Sequence, residues 1–159
     1  MSGELPGWVV REAKAEDLPA IVRLLADDAL GATREQIDAA PDPSYYRAFE
    51  EMQRHPGCHF LVAELNGELV GCMQLVIIPG LSHRGARRAQ IESVRIARSW
   101  RGHGLGTRLT EAALQMARDQ GCILAQLTTH RQRTDAHRFY EQQGFAFTHL
   151  GMKKRLRTD

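Results

Sequence analysis

The 159-residue chain lacks the features that would place it among membrane, secreted or disordered proteins. No stretch reaches the ~20 apolar residues that a membrane-spanning helix needs, and the first eleven residues lack the basic and apolar series of a signal peptide. Proline is scarce, at 6 residues, and the hydrophobic share of 43% is ordinary for a globular protein. We therefore expect one soluble, cytoplasmic domain over residues 1–159.

An excess of one charge sign is also missing, because 21 Lys and Arg face 19 Asp and Glu. A protein that binds nucleic acid by neutralising many phosphates needs a larger positive excess, so nucleic-acid binding is not expected. Cys58, Cys72 and Cys122 are odd in number and lie among apolar residues, which favours reduced core thiols over a disulfide framework. The seven histidines show no zinc-binding spacing, so no metal site is predicted.

Hydrophobic periodicity predicts alternating strands and helices. Asn66-Gly67 joins two β-rich runs in the manner of a tight hairpin, and Gly121 and Gly144 follow two predicted helices. The segment from Pro79 to Arg88 is predicted to be a solvated loop. The predicted strands are 9–12, 58–65, 68–78, 90–96, a buried strand 122–128 and an extended return 145–156; the predicted helices are 16–26, 44–55, 104–120 and 134–143.

A basic loop with a glycine at every second position lies between a predicted strand and a predicted helix. It spans residues 101–107, and Arg98, Arg101 and Arg108 supply positive charge. The first N–H groups of a helix have no intrahelical partner, so such a junction binds phosphate. The spacing differs from a P-loop and from the dinucleotide-fold glycine pattern. The plainer alternative is that the glycines only form a turn.

Two motifs resemble the signatures of the GCN5-related N-acetyltransferase family. Residues 101–106, Arg-Gly-His-Gly-Leu-Gly, resemble its acetyl-CoA signature, Arg/Gln-x-x-Gly-x-Gly/Ala. Residues 136–145, with Phe139-Tyr140 before Gly144-Phe145, resemble its second signature. The opening strand and helix of the chain are similar to the family as well, so the likeness covers nearly the whole chain. Arg133 is a departure, because many members carry Asn there.

The resemblance implies an α/β (α+β) fold whose central sheet is mixed, mostly antiparallel, splayed between its fourth and fifth strands and flanked by about four helices. Acetyl-CoA is implied as the cosubstrate in the gap, and its acetyl group would pass directly to a primary amine of a small molecule. A homodimer is expected. The implied cofactor-binding residues are Val94, Arg95, Ile96, Arg101, Gly102, His103, Gly104, Leu105, Gly106, Thr107 and Arg133.

Acetyl transfer to an amine needs a group that accepts the amine proton and a group that protonates the departing thiolate. We predict Glu92 as the base, because strand alternation would place its side chain on one face with Val94 and Ile96. An ion pair with an arginine is the alternative for Glu92. Tyr140 is the predicted acid, since the resemblance puts its hydroxyl beside the sulfur; a plain core tyrosine is the alternative. The backbone N–H of Val94 or Ile96 is the predicted oxyanion donor.

The stretch from Leu127 to Tyr140 is similar to the corresponding stretch of aminoalkylphosphonate N-acetyltransferases. If the likeness extends to chemistry, side chains among His83, Arg84, His130 and Arg133 would seat an anionic group of the amine. Solvated surface charges or contacts to the cosubstrate are the alternative. The competing functions are a non-catalytic acyl-CoA-binding or regulatory module of the same fold and an acetyltransferase that modifies protein N-termini or lysines.

Overall fold

The computed structural model describes residues 5–27, 31–33, 35 and 40–157. Its centre is one five-stranded sheet in the order β1-β2-β3-β4-β5, in which the first four strands pair antiparallel and β4 pairs parallel with β5. The strands are β1 (Trp8–Glu12), β2 (Cys58–Leu65), β3 (Glu68–Ile78), β4 (Arg87–Ile96) and β5 (Cys122–Leu127). The helices are α1 (Leu18–Ala26), α2 (Pro43–Arg54), the short α3 (Ser82–Gly85), α4 (Leu105–Asp119) and α5 (Thr134–Gln142). The predicted mixed α/β fold is confirmed.

Apolar side chains alternate along the strands and cover both faces of the sheet. On one face, Met73, Leu75 and Ile91 pack against Leu109 and Ala113 of α4. On the other face, α1 and α2 cover Val62 and Cys72. Burial of each large side chain contributes roughly 1.5–3 kcal/mol, so the sheet is fixed from both sides.

The three cysteines are free thiols, and they differ in exposure. Cys72 is fully buried, and burial raises its pKa to about 12. Cys58 and Cys122 are half-buried, and burial also raises the pKa of the Cys122 thiol. Among the described residues, none of the helices is both long enough and apolar enough to cross a membrane.

Helix α2 begins one residue before the predicted cap. Asp42 is the N-cap, and its side chain accepts a hydrogen bond from the backbone N–H of Ser44 at 2.8 Å. Pro43 occupies the first turn, where its missing N–H costs nothing. The predicted ends of α4 and α5 are confirmed, since Gly121 and Gly144 follow them with φ of 76° and 84°.

Two predictions around β4 and β5 are wrong. Arg87 and Arg88 belong to β4, and the shorter loop before them contains α3, whose His83 and Arg84 are left-handed with φ of 51° and 61°. Strand β5 is not a buried strand, because Ile123 is 62% and Leu124 is 43% exposed. It lies at the edge of the sheet, where only β4 pairs with it among the described residues.

The predicted extended return over 145–156 is also wrong, because the described residues there form neither strand nor helix. Phe145 packs against the core, whereas Phe147, Leu150, Met152 and Leu156 are exposed. The apolar positions change from odd to even numbers between Phe147 and Leu150, so no single face of a strand would collect them.

A buried ion cluster joins β1, β2 and the start of α1. The Arg11 guanidinium donates to both carboxylate oxygens of Asp17, at 2.7 and 3.0 Å, and also to Glu64. Asp17 additionally accepts the backbone N–H of Lys14 at 2.7 Å. Its hydrogen bonds with Arg11 lower the pKa of Asp17 below the usual value of an aspartate.

We expect Asp17→Asn to destabilise the protein at pH 7 by roughly 1–3 kcal/mol, because Arg11 loses a charged partner. A lowered folded-state pKa stabilises the protein above the unfolded-state pKa of about 3.9 and loses that effect as the pH falls. The difference between wild type and variant should therefore shrink below about pH 4. Urea unfolding across pH measures it. The control is Asp119→Asn, whose exposed carboxylate accepts from Gln115; equal losses in both variants would contradict the role of the cluster.

Candidate active site

Strands β4 and β5 separate in the middle of β4. Their pairing runs from Arg87 with Cys122 to Ile91 with Leu127. Strand β4 continues to Ile96, and β3 remains its neighbour to the end. The predicted splay between the fourth and fifth strands is confirmed, and it opens a gap along the second half of β4.

A β-bulge at Ser93 changes which side chains share a face of β4. Ser93 has a left-handed φ of 54°, and the register with β3 shifts so that Glu92 faces Gln74 while Arg95 faces Cys72. One extra residue in a strand reverses the alternation beyond it. Glu92 and Arg95 therefore lie on the face that carries α1 and α2.

The predicted common face of Glu92, Val94 and Ile96 is wrong for this reason. Val94 and Ile96 pack with Ile91 in the cluster beneath α4. The exposed Glu92 carboxylate lies on the opposite side of the sheet from them. Strand alternation fails here because of the bulge. The sequence Glu92-Ser93-Val94 did not predict it, since it carries no glycine or proline that would mark a bulge.

The carbonyl groups of Val94 and Ile96 lie on the edge of β4 that faces the gap. Ala97 donates its backbone N–H to Val70 of β3, so Val94 and Ile96 direct their polar groups the other way. Val94 O accepts from the Arg95 guanidinium at 2.9 Å, and Ile96 O accepts from Arg101 Nε at 3.0 Å. This edge can receive an extended ligand as a strand would be received.

The glycine loop forms an open cradle before α4. Gly102 and Gly104 have φ of 80° and 77°, and a Cβ added at either would meet no atom within 4 Å. Gly104 is the N-cap of α4, and its carbonyl accepts from Arg108 N as the first helical bond. The N–H groups of Leu105, Gly106 and Thr107 precede that bond and point out of the helix end. Backbone donors and free space fit a pyrophosphate here.

The positive side chains beside the cradle are directed elsewhere. Arg101 donates to the Asp27 carbonyl at 2.8 Å, and its guanidinium lies 3.4 Å from the Asp27 carboxylate. Arg98 donates its backbone N–H to Asp27 at 2.9 Å, and its guanidinium is 3.5 Å from the same carboxylate. Arg98 and Arg101, which were predicted to add charge for a phosphate, thus also tie the loop to the end of α1.

The two signature motifs touch each other at the start of α4. A Cβ on Gly106 would lie 3.1 Å from Cζ of Phe139, so this glycine makes room for an aromatic ring of α5 rather than for a phosphate. Gln143 also donates to the Thr107 hydroxyl at 3.3 Å. His103 makes a 5.9 Å edge contact with Trp100, and Leu105 is buried. The cradle is thus braced by α5.

Tyr140 packs between Phe139 and Phe145, with ring centroids at 5.0 and 5.7 Å. Burial raises the pKa of its hydroxyl, and the nearby positive charges of Arg95 and Arg133 oppose part of that shift. Tyr140 is therefore protonated at neutral pH and can donate a proton. Arg95 lies in the half of β4 that pairs with β3 but not with β5. Because the charge of Arg95 acts on Tyr140, Tyr140 lies toward the gap.

Two polar residues on the sheet and one at the end of α1 were not selected from the sequence. Gln90 donates to Glu92 at 3.0 Å, and Gln126 donates to Gln90 at 2.8 Å. Asp27, which anchors Arg98 and Arg101, was missed as well. Only Gln126 gave a signal, because it interrupts an otherwise apolar strand, whereas Gln90 lies in a strand that carries several other polar residues. Asp27 could not be found from the sequence, because its hydrogen-bond partners lie more than 70 residues away.

The predicted anion-seating residues lie on two separate elements. His83 and Arg84 are exposed on α3, before β4, while His130 and Arg133 precede α5. His130 accepts from the His137 ring at 3.1 Å through its backbone carbonyl. Within the described ranges, no three His, Cys, Asp or Glu side chains are grouped so that they could hold a metal ion.

The acetyltransferase (GNAT) family model matches residues 19–145. The chain belongs to this family. It is 28% identical to an aminoalkylphosphonate N-acetyltransferase of Salmonella typhimurium over 96% of this chain and 94% of that protein. It is 31% identical to an uncharacterised N-acetyltransferase of Bacillus subtilis over 86% of this chain and 88% of that protein.

Among solved structures, a protein described as a transcriptional regulator of Bacillus halodurans C-125 is 42% identical, with a TM-score of 0.90. The match covers 94% of this chain and 99% of that chain. Membership of the GNAT family together with N-acetyltransferase relatives makes the protein an acyltransferase.

Proposed function

We propose that the protein transfers the acetyl group of acetyl-CoA directly to a primary amine of a small molecule. The observation that carries this proposal is the joint geometry of the gap: an open phosphate cradle at the start of α4 adjoins the unpaired edge of β4. Phosphate, an extended arm and a reacting acyl group follow one another in an acyl-CoA, and we assign them in turn to the cradle, the strand edge and the surroundings of Tyr140.

The cosubstrate would be held mostly by the backbone. The N–H groups of residues 105–107 would bind the pyrophosphate, and Val94 and Ile96 would bind the extended arm. The N–H of Val94 or Ile96 would also donate to the carbonyl oxygen as negative charge develops on it. Arg95 lies beside this edge, and Arg133 lies near Tyr140, where either could meet the cosubstrate or the acceptor.

Glu92 would accept the proton that the amine must lose. An alkyl ammonium with a pKa of about 10.4 is neutral in about one molecule in 2500 at pH 7, a handicap of roughly 4.6 kcal/mol. The exposed Glu92 carboxylate adjoins the gap and faces the side of α1 and α2, which the cradle does not occupy. An amine arriving on that side would reach the acyl carbon from the face opposite α4, with Glu92 or a water bound to it as the base.

Tyr140 would supply the proton for the leaving sulfur. In the reaction a C–N bond forms and the C–S bond breaks. An ammonium nitrogen loses two protons, one to Glu92 or its water before the attack and one as the C–N bond forms, while the sulfur gains one proton and the other is released to solvent. A phenol whose pKa lies above its ordinary value stays protonated at neutral pH, so its hydroxyl is in place to donate as negative charge develops on the sulfur. The same burial that protects the hydroxyl also excludes water from its ring.

We further propose an anionic small amine as the acceptor. The support is the 28% identity to the aminoalkylphosphonate enzyme over nearly the whole chain. Exposed His83 and Arg84 on α3 and Arg133 beside Tyr140 are the side chains we assign to the anionic group. Guanidinium groups match phosphonate and carboxylate oxygens with paired hydrogen bonds.

A regulatory role is the second candidate, because the 42% identical structure is described as a transcriptional regulator. A regulatory module would bind acetyl-CoA without turning it over. The near-balanced charge of +2 speaks against a direct role on DNA.

A cytoplasmic homodimer remains our prediction for the state of the protein. Ile123 and Leu124 on the free edge of β5 and the exposed Leu150, Met152 and Leu156 give apolar surface that a second copy would cover.

We expect release of free thiol from acetyl-CoA only when a small primary amine is added. An amine panel read with a thiol-detecting dye measures this, and aminoalkylphosphonates or amino acids should react best. Good turnover of polyamines, aminoglycosides or protein amines in place of anionic amines would refute the acceptor class. Tight acetyl-CoA binding without turnover on any amine would favour the regulatory module.

We expect Gly104→Val to weaken acetyl-CoA binding sharply, because the new side chain occupies the cradle. Gly121→Val is a matched control, since Gly121 has nearly the same φ of 76° and equally empty surroundings at the other end of α4. Each variant should lose about 1–2 kcal/mol of stability from left-handed backbone strain. Calorimetry should find the affinity loss in Gly104→Val alone; the same affinity in both variants would remove the cradle from the cosubstrate site.

We expect Tyr140→Phe to lower kcat by roughly 100-fold to 10,000-fold, the range of general acid catalysis. Acetyl-CoA affinity should change little, because the hydroxyl is needed only as the thiolate leaves. Single-turnover kinetics with the best amine measures the chemical step. Tyr45→Phe is the control, as its hydroxyl donates to Glu35 at 2.6 Å. A wild-type chemical step in Tyr140→Phe would return Tyr140 to a packing role.

A further inference from the structure

A hydrogen-bonded row of side chains crosses from β5 to β4 and ends on the proposed base. Gln126 Nε2 donates to Gln90 Oε1 at 2.8 Å, and Gln90 Nε2 donates to Glu92 Oε1 at 3.0 Å. Gln126 and Gln90 are register partners, and Gln90 and Glu92 share a strand face. The row is therefore built by the sheet itself and does not depend on a loop.

The direction of each amide in this row follows from the carboxylate at its end. An ionised carboxylate can only accept hydrogen bonds, so Gln90 must present its NH₂ group to Glu92. The Gln90 oxygen then points to Gln126, which must present its own NH₂ group. Both amides therefore point their NH₂ groups toward Glu92, whose Oε1 acts as an acceptor in this row.

The row contacts Glu92 at a point where the neighbouring backbone does little to fix its side chain. Ile91 and Leu127 form the last pair between β4 and β5, and the bulge at Ser93 follows immediately. Glu92 thus stands just beyond the paired region, with an exposed side chain that would otherwise sample several rotamers. The glutamines hold one oxygen from the paired side of the gap.

We propose that Gln90, supported by Gln126, is a positioning residue that fixes Oε1 of Glu92 and leaves Oε2 directed toward the incoming amine or its water. This inference rests on the proposed acetyl transfer and assigns the geometry of its base. Neither glutamine touches the reacting atoms in this arrangement; Gln126 acts only through Gln90.

The kinetic test compares Gln90→Leu, Gln126→Leu and the double variant with Glu92→Gln. We expect Gln90→Leu to lower kcat roughly 10-fold with an unchanged KM for acetyl-CoA, because a misplaced catalytic group costs rate and not cosubstrate binding. Gln126→Leu should cause a smaller loss of kcat, and the double variant should equal Gln90→Leu, since the effect of Gln126 passes through Gln90. Gln115→Leu is the matched control, because Gln115 donates to the Asp119 carboxylate at 2.9 Å on the exposed side of α4.

A second measurement does not depend on activity. The side-chain NH₂ signals of Gln90 and Gln126 in a ¹H–¹⁵N spectrum should both move in Glu92→Gln, and the Gln126 signals should also move in Gln90→Leu. If Gln90→Leu fails to fold, the exposed Gln126→Leu carries the kinetic comparison.

Four outcomes would overturn the inference. Turnover of Gln90→Leu at the level of Gln115→Leu, with Glu92→Gln impaired, would leave acetyl transfer intact and remove the positioning role. An increase in KM for the amine alone would make the glutamines acceptor ligands instead. Absence of acetyl transfer by the wild-type protein on every amine would refute the proposed function itself, and the positioning role with it; unmoved NH₂ signals would refute the row alone.

Discussion

The point at which β4 leaves β5 determines most of what this molecule can bind. Up to the pair of Ile91 and Leu127, the backbone groups of β4 and β5 form hydrogen bonds with each other. Beyond that pair, the edge of β4 faces a gap. Buried backbone N–H and C=O groups need hydrogen-bond partners. A strand edge without a neighbouring strand inside a fold therefore either lowers the stability of the protein or binds a ligand. Here Arg95 and Arg101 donate to two of its carbonyls, those of Val94 and Ile96.

The bulge at Ser93 gives the same strand two chemical faces. Val94 and Ile96 belong to the apolar cluster under α4, while Glu92 and Arg95 lie on the side of α1 and α2. An acyl group in the gap would therefore meet backbone donors and apolar side chains from one side and a carboxylate from the other. A regular strand could not separate these groups within five residues, because its alternation has no phase change.

Much of the fold could be predicted from local signals, and the failures have physical causes. Asn66-Gly67, Gly121 and Gly144 mark turns and helix ends through backbone conformations that depend on neighbouring residues only. The bulge at Ser93 depends on pairing with β3, and the exposure of Ile123 depends on which element covers β5. Neither feature can be predicted from the residues adjacent to it in sequence. Extended structure over 145–156 failed because an apolar pattern alone does not supply a partner strand.

The site was predicted in part for the same reason. The glycine loop and Tyr140 belong to contiguous motifs, and the structure brings the two motifs together through Gly106 and Phe139. The contact of Arg101 with Asp27 could not be inferred, because the two residues lie far apart in sequence. Electrostatic roles of loop arginines depend on the nearest carboxylate in space, which sequence spacing does not reveal.

One half of the candidate site consists mainly of backbone groups and the other half of side chains. This difference matters for the choice of acceptor. The half proposed for the cosubstrate uses backbone N–H groups, helix direction and missing side chains at Gly102 and Gly104, none of which ordinary substitutions can retune without damage. The half proposed to face the amine would use the side chains of Gln90, Glu92 and Gln126 and the basic side chains on α3 and before α5. Side chains on exposed strand faces and loops can change while the sheet beneath them persists. Under the proposed function, acceptor preference would therefore depend on a few exposed side chains, and altering it would require no change in the cradle or in the edge of β4.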